Sequence, residues 1–351
     1  MNIKNFNSMG QLLLVGFVLI ITVFSCKNNS EGESNISEKS EEKNQVKYPS
    51  DVIPFMDKWK ILLGDGTRSD SLVNFQKEDF FYVESDDTGD WVVYKTPNSG
   101  VTSRTSSNTR TELGEKRHWI PEEGGKLTGT LKVQHVSTTG DATAASSYSV
   151  VIGQIHSDEG HENEPLKIYY KKFPGHTKGS VFWNYEINTE GDNIGRFDYS
   201  TAVWGHDFSV VGTDAMTYPA EPENGIALGE EFSYEVNVYK GIMYLTFTSE
   251  GHETIKFTKS LIKSEFATRS AIPEQVKKIY ANREKGGGVE REIAYAGEIN
   301  YFKQGAYNQA NNKSTKSEIY GGDIGKQYAN GSYAEVWFKE ATVGESTAPK
   351  Q

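Results

Sequence analysis

One cysteine, Cys26, in 351 residues leaves no possibility of an intrachain disulfide. The fold must hold by packing and hydrogen bonding alone. Basic residues are also short, 37 Lys and Arg against 48 Asp and Glu, for a formal net charge of −11. That balance supplies no general basic face, so no nucleic-acid partner is expected. A polyanion could still be held, but only by a local basic groove. There is no G-x-S-x-G, no P-loop and no C-x-x-C. Serine-hydrolase, phosphate-cradling and thiol-redox chemistries therefore lack their signatures. The histidines show no metal-ligand spacing, and His161 with Glu162 and Glu164 reads as a solvated loop. No metal and no cofactor is expected. A repeat of 20–50 residues is absent too, which argues against a solenoid or propeller.

Long apolar runs are missing with one exception, Leu12–Phe24. This run follows Lys4 and precedes Ser25-Cys26, the pattern of a signal peptide. It is too short to span a bilayer comfortably. Val23-Phe24-Ser25-Cys26 resembles a bacterial lipobox, with Phe24 an unusual occupant. The resemblance implies lipidation at Cys26 and an exported chain anchored in a bacterial membrane, the outer one being expected. An ordinary secretory signal with an incidental Cys is the alternative. Residues 27–47 carry only Ile36 and Val46 as aliphatic side chains, so residues 26–47 read as a flexible tether.

From Tyr48 the texture changes. Aromatics make up 12 % of the chain, and Gly, Asn, Asp and Ser punctuate alternating segments. A single domain is expected over residues 48–341, with 342–351 a tail and the chain a monomer. Period-two alternation predicts strands at Leu127–Val136, Ser147–His156, Val181–Ile187, Phe232–Tyr239, Ile242–Thr248, Glu298–Gln309 and Tyr333–Phe338. Lys240-Gly241 reads as a hairpin turn. Helical signals are few, at Val52–Trp59 and Pro273–Arg283. Gly286-Gly287-Gly288 suits a flexible loop better than a phosphate site. The pattern is that of an all-β sandwich or jelly roll.

Three segments place polar residues two apart, on one strand face. In Arg110-Thr111-Glu112-Leu113, Arg110 and Glu112 share a face. In Gln154-Ile155-His156, Gln154 and His156 do. In the stretch from Tyr301 to Gln309, Tyr301, Lys303, Tyr307 and Gln309 do, with Gly305 leaving open space between them. Taken singly these residues are ordinary: a structural histidine, a surface ion pair worth little, tyrosines packing a sheet.

Together they resemble the signature motifs of the polysaccharide lyase family 7 alginate lyases. RTELG resembles the first motif, with Gly114 where the family has a second arginine. QIH matches the second. YFKQGAYNQ resembles the third, with Gln304 in place of alanine. The resemblance runs in order over about 48–341 and implies a β-sandwich jelly roll with a long substrate groove on its concave sheet.

The implied reaction is β-elimination on alginate, an acidic polysaccharide. A proton leaves C5, next to a carboxylate, so that carboxylate must first be neutralised by donors. A base is then needed near C5 and an acid near the leaving O4. By resemblance, Arg110 and Gln154 hold the carboxylate with help from His156. Tyr307 protonates the leaving oxygen, and also serves as base on mannuronate. His156 is the base for guluronate, whose C5 proton lies on the other face. Lys303, Tyr301 and Gln309 contact substrate, and Glu112 orients Arg110. Isoleucine at 155 resembles enzymes that accept guluronate-containing blocks. Gly114 implies altered subsite affinity. A binding-only lipoprotein and a lyase on another polyuronate remain alternatives, and endo versus exo action is open.

Overall fold

Ile53-Pro54 interrupts the first predicted helix, because a residue before proline is driven out of the helical region. Ile53 is extended, at φ −106° and ψ 109°. What forms instead is a short α1 (Pro49–Val52), a 3₁₀ turn (Met56–Lys58) and then a strand starting at Trp59. The computed structural model describes residues 47–102, 106–158, 163–190, 195–273, 288–311 and 323–349. Cys26, most of the tether, the predicted helix beyond Pro273, and Gly286 and Gly287 lie outside the described residues.

The alternating segments pair into two antiparallel sheets. The first runs β10 (Asp198–Trp204), β9 (Lys178–Glu186), β8 (Leu166–Lys171), β7 (Ser149–Ser157), β15 (Asn300–Asn308), β5 (Arg110–Glu115), β1 (Trp59–Leu62) and β2 (Arg68–Ser69). A short β11 (Ile226–Ala227) pairs with β9. The second runs β14 (Ile255–Ser260), β13 (Ile242–Ser249), β12 (Glu231–Tyr239), β6 (Gly125–His135), β16 (Tyr333–Gly344), β4 (Gly89–Pro97) and β3 (Phe81–Asp86). The expected all-β sandwich of jelly-roll type is what forms. Lys240 and Gly241 both adopt positive φ, as a two-residue hairpin needs, and Tyr239 pairs with Ile242 across them.

Inner faces of both sheets make one apolar core. Ile155, Ile168, Phe302 and Leu113 come from the first sheet, and Leu131, Tyr234, Val336 and Phe338 from the second. Burying such side chains contributes roughly 1.5–3 kcal/mol each. One boundary differs from expectation. β16 continues to Gly344, three residues beyond the predicted domain end at 341, because those residues pair with β6 at Thr128, Leu127 and Lys126. Beyond it, the Thr347 amide donates to Asn237 Oδ1 at 3.1 Å, so residues 342–347 are tied to the sheet and are no free tail. A helix absent from the sequence reading, α2 (Ile324–Asn330), is capped by Asp323, whose side chain accepts from the Gly325 amide.

Candidate active site

The three polar segments occupy adjacent strands, in the order β7, β15, β5. Register then aligns them. Tyr301 pairs with His156, and Lys303 with Gln154 on one side and Gly114 on the other. Tyr307 pairs with Arg110. Arg110, Gln154, His156 and Tyr307 thus converge on the outer face of the first sheet.

Two irregularities make this possible. Val150 and Ile152 point into the core, and strict alternation would send Gln154 there as well. The ladder shifts at this point, between Val151 and Gly153 against β8. A Cβ at Gly153 would lie 2.6 Å from the Tyr234 hydroxyl, so the opposite sheet fills the space of a missing side chain. Two successive residues face inward and Gln154 emerges on the site face, a bulge re-aiming a side chain. The second irregularity is at Gly305, where φ is +141°. A Cβ there would meet Thr111 O at 2.6 Å and Tyr94 Cδ1 at 2.9 Å. Gly305 is therefore demanded by packing behind the sheet and does not serve as open space on its face. Its neighbour Gln304 crosses the core, donating to the Tyr234 hydroxyl at 2.7 Å and Thr128 O at 3.0 Å.

Glu112 is the electrostatic hub. Its side chain is 2 % exposed. It lies 3.4 Å from Arg110 Nη1 and 3.9 Å from Lys303 Nζ, and it accepts from Gln154 Nε2 at 2.5 Å. Enclosed this way, it holds the three groups that face outward and does not itself present a surface to substrate. Burial works against the Arg110 charge, but Tyr307 and Glu112 outweigh it and push its pKa up. Arg110 Nε is buried without a partner among the described residues, as is Gln154 Oε1. Burial pushes the Lys303 ammonium down to about 8, against the pull of Glu112.

His156 donates from Nδ1 to the Ser157 carbonyl at 2.5 Å, since a carbonyl can only accept. That fixes the tautomer and leaves the lone pair on Nε2. Burial, then the charge of Lys303, pushes the imidazole down to about 3, so it is neutral near pH 7. Tyr301 packs beside it with ring centroids 5.3 Å apart, and burial raises the Tyr301 phenol above its ordinary range. Tyr307 stands at the other end of the cluster. Its ring lies under the Arg110 guanidinium and packs on Val151, Tyr169 and Phe182. Its hydroxyl is 3.0 Å from Ser106 Oγ. Gln309 accepts from Asn108 Nδ2 at 3.2 Å and donates to Tyr307 O at 3.3 Å, bracing the segment that carries Ser106.

Sequence reasoning missed several neighbours. Ser106 carries no motif signal. His118 stacks on Tyr301, ring centroids 5.0 Å apart, and contacts Asp158 at 3.0 Å. Lys60 pairs with Gly114 across β1 and β5, and its stem fills the space beside that glycine: an added Cβ would meet Lys60 Cε at 3.4 Å. Glu164 is not a solvated loop residue, because its side chain is only 14 % exposed and lies 3.4 Å from His156 Nε2. His161 and Glu162 lie outside the described residues.

The family model described as Alginate lyase matches residues 53–345. An alginate lyase from Klebsiella pneumoniae is 30 % identical over 280 residues, covering 70 % of this chain and 76 % of that protein. The crystal structure of the exolytic PL7 alginate lyase AlyA5 from Zobellia galactanivorans is 71 % identical with a TM-score of 0.84, covering 86 % of this chain and 99 % of that one. A crystal structure of the Klebsiella pneumoniae enzyme shares the fold, at 24 % identity and a TM-score of 0.60, covering 86 % of this chain and 99 % of that one.

Proposed function

This chain belongs to the alginate lyases of polysaccharide lyase family 7, and from that premise we propose how its residues act and on which polymer blocks. The single observation that carries the reading is the convergence of Arg110, Gln154, His156 and Tyr307 on three neighbouring strands. A uronate carboxylate fits against Arg110, Gln154 and Lys303, where buried cations are worth more than in water. The C5–H bond breaks, its electron pair forms the C4–C5 double bond, and the C4–O4 bond breaks. Tyr307 gives its proton to O4.

Guluronate-containing blocks are the preferred substrate in this reading, with His156 Nε2 taking the C5 proton. The fixed tautomer supports it, because the lone pair is already on the nitrogen away from Ser157. Ile155 is fully buried in the core, so any influence of that residue on block choice acts through the position of its neighbours. On mannuronate, Tyr307 serves as both base and acid.

The reading extends to exolytic cleavage. The segment between β10 and β11 supports it. Phe208 packs at a tilt against Tyr169 and Phe182, its amide donates to Ser200 Oγ, and the His206 amide donates to Ser180 Oγ. Lys171 reaches the Val210 carbonyl at 3.4 Å. These contacts carry the segment over the site face on the β8–β10 side, where it would stop a polymer from running through. The relative at 71 % identity is itself described as exolytic. Export and anchoring through a lipidated Cys26, and action as a monomer, complete the proposal.

One experiment tests it. The purified chain is incubated with poly-guluronate, poly-mannuronate, mixed alginate and polyglucuronate, following ultraviolet absorbance of the new double bond and product size. Fastest turnover on poly-guluronate, with small unsaturated products from the first minutes and slow loss of viscosity, is expected. Faster turnover on poly-mannuronate overturns the block preference, and an early ladder of long oligomers overturns exolytic action.

A further inference from the structure

We propose that Glu164 is a positioning residue for this reaction, holding the His156 ring in place and serving as counter-ion to the imidazolium formed when His156 takes a guluronate C5 proton. The inference rests on the reading of His156 as the guluronate base. It concerns a carboxylate that belongs to none of the three motifs.

Geometry supplies the case. Glu164 Oε1 is 3.4 Å from His156 Nε2, the nitrogen that carries the lone pair. It is the carboxylate in contact with the ring among the described residues. Glu164 is in turn fixed from behind. Lys167 Nζ lies 3.0 Å from it and Arg196 Nη1 3.3 Å. The same two cations pair with Glu186, and the Glu164 amide donates to Glu186 Oε2 at 2.9 Å. Two carboxyl groups thus face two cations, Glu164 and Glu186 against Lys167 and Arg196. Burial opposes the Glu164 charge, but Lys167 leads the groups that overcome it and keep Glu164 ionised.

The groups facing His156 from other elements are of opposite effect. Lys303 on β15 and Arg110 on β5 repel a protonated ring. Tyr301 covers one side, and Glu112 lies behind the two cations. In the free enzyme this environment makes His156 a weak base. A uronate carboxylate placed against Arg110 and Lys303 offsets their charge. Glu164 then remains as the charge nearest the imidazole, and it favours the protonated form. On proton transfer, Glu164 at 3.4 Å from Nε2 stabilises the imidazolium by its charge. The C5 proton stays on His156 while Tyr307 protonates O4. Return of that proton to the Tyr307 phenolate through solvent restores both groups.

The test is turnover of Glu164→Gln on poly-guluronate and poly-mannuronate from pH 5 to pH 9, beside His156→Gln, Arg196→Gln and Glu164→Asp. For Glu164→Gln the expected result is a kcat on poly-guluronate lowered on the order of tenfold or more, least strongly at low pH, where His156 of the parent is itself taking up a proton, within the range of acid–base effects. KM and poly-mannuronate turnover should stay within about threefold, and Glu164→Asp should recover part of the loss. Arg196→Gln loosens the same cluster but keeps the carboxylate, so the guluronate-to-mannuronate ratio should hold. Equal losses on both polymers for Glu164→Gln, or the same ratio change in Arg196→Gln, overturn the inference. If His156→Gln is guluronate-selective and Glu164→Gln is not, this inference alone fails. If His156→Gln affects both polymers equally, the base assignment fails and takes the inference with it.

Discussion

The Arg110 guanidinium carbon sits 3.8 Å from the centroid of the Tyr307 ring. The contact joins the cation proposed to hold the uronate carboxylate to the phenol proposed to protonate O4, so each fixes the other. The ring's apolar side rests on Val151, Tyr169 and Phe182, which leaves only the hydroxyl for chemistry.

Tyr307→Phe should therefore separate chemistry from structure. The ring, its packing and the cation contact survive, while the hydroxyl near Ser106 is lost. A fall in kcat of roughly 10²–10⁴-fold is expected, the usual span for a lost general acid or base. KM should change little. Double-bond absorbance against time measures it, and a thermal melt within a few degrees of the parent shows the fold intact.

Lys303 sets an alkaline limit. Burial leaves its ammonium at about 8, so above that pH the site loses a cation proposed to hold the substrate carboxylate. The value of kcat/KM should decline through about pH 8, and Lys303→Arg should move that decline upward, because guanidinium stays charged. Stability has the opposite sign. Between about 8 and the ordinary lysine value, the unfolded chain binds the extra proton, so this group's contribution to stability grows as pH rises. A pH series of kcat/KM beside a pH series of denaturant midpoints distinguishes the two.

Glu115 faces inward from β5, the strand that carries Arg110. It is 1 % exposed and accepts from Trp119 Nε1 and the Phe302 amide, each at 3.2 Å. Burial pushes its carboxyl up to about 7. The folded state therefore holds the proton more tightly than the unfolded state. This contribution is fully present below the ordinary glutamate value and is lost as pH rises through about 7. Glu115→Gln keeps an acceptor oxygen and should stabilise the chain at pH 8 by up to about 3 kcal/mol, at 1.36 kcal/mol per pKa unit. Denaturant midpoints at pH 5 and pH 8 should converge in the variant.

Gly114→Arg tests the subsite beside Tyr301. A Cβ there meets only ordinary contacts, Lys60 Cε at 3.4 Å and Tyr301 Cε2 at 3.6 Å. The new guanidinium would crowd Lys60 and Lys303, so melting should fall slightly while KM for alginate falls. Lys60→Ala should raise KM with kcat kept. An unchanged KM in both variants would mean that this corner does not touch the polymer.

Chemistry and face sharing were legible from residue order. Arg110 with Glu112, Gln154 with His156, and Tyr301 with Lys303 follow from the two-residue period of a strand, which is local. The turn at Lys240-Gly241 was equally local. Less legible was everything set by contact across the core or between distant loops. Ser106 and Glu164 reach the site from connecting segments, whose course no periodicity encodes. Gly305 looked like a gap on the face because neither its positive φ nor the closeness of Tyr94 on the opposite sheet is encoded in residue order.

Gln154 shows where the division falls. The sequence by itself determined that Gln154 and His156 oppose Ile155. It could not determine which of the two faces they took, since the run from Val150 to Ile152 points them inward. Tyr234 decides it from the other sheet, by occupying the volume a side chain at Gly153 would need and forcing two consecutive inward residues. Alternation is a property of one strand, whereas its interruption is a property of what packs against that strand.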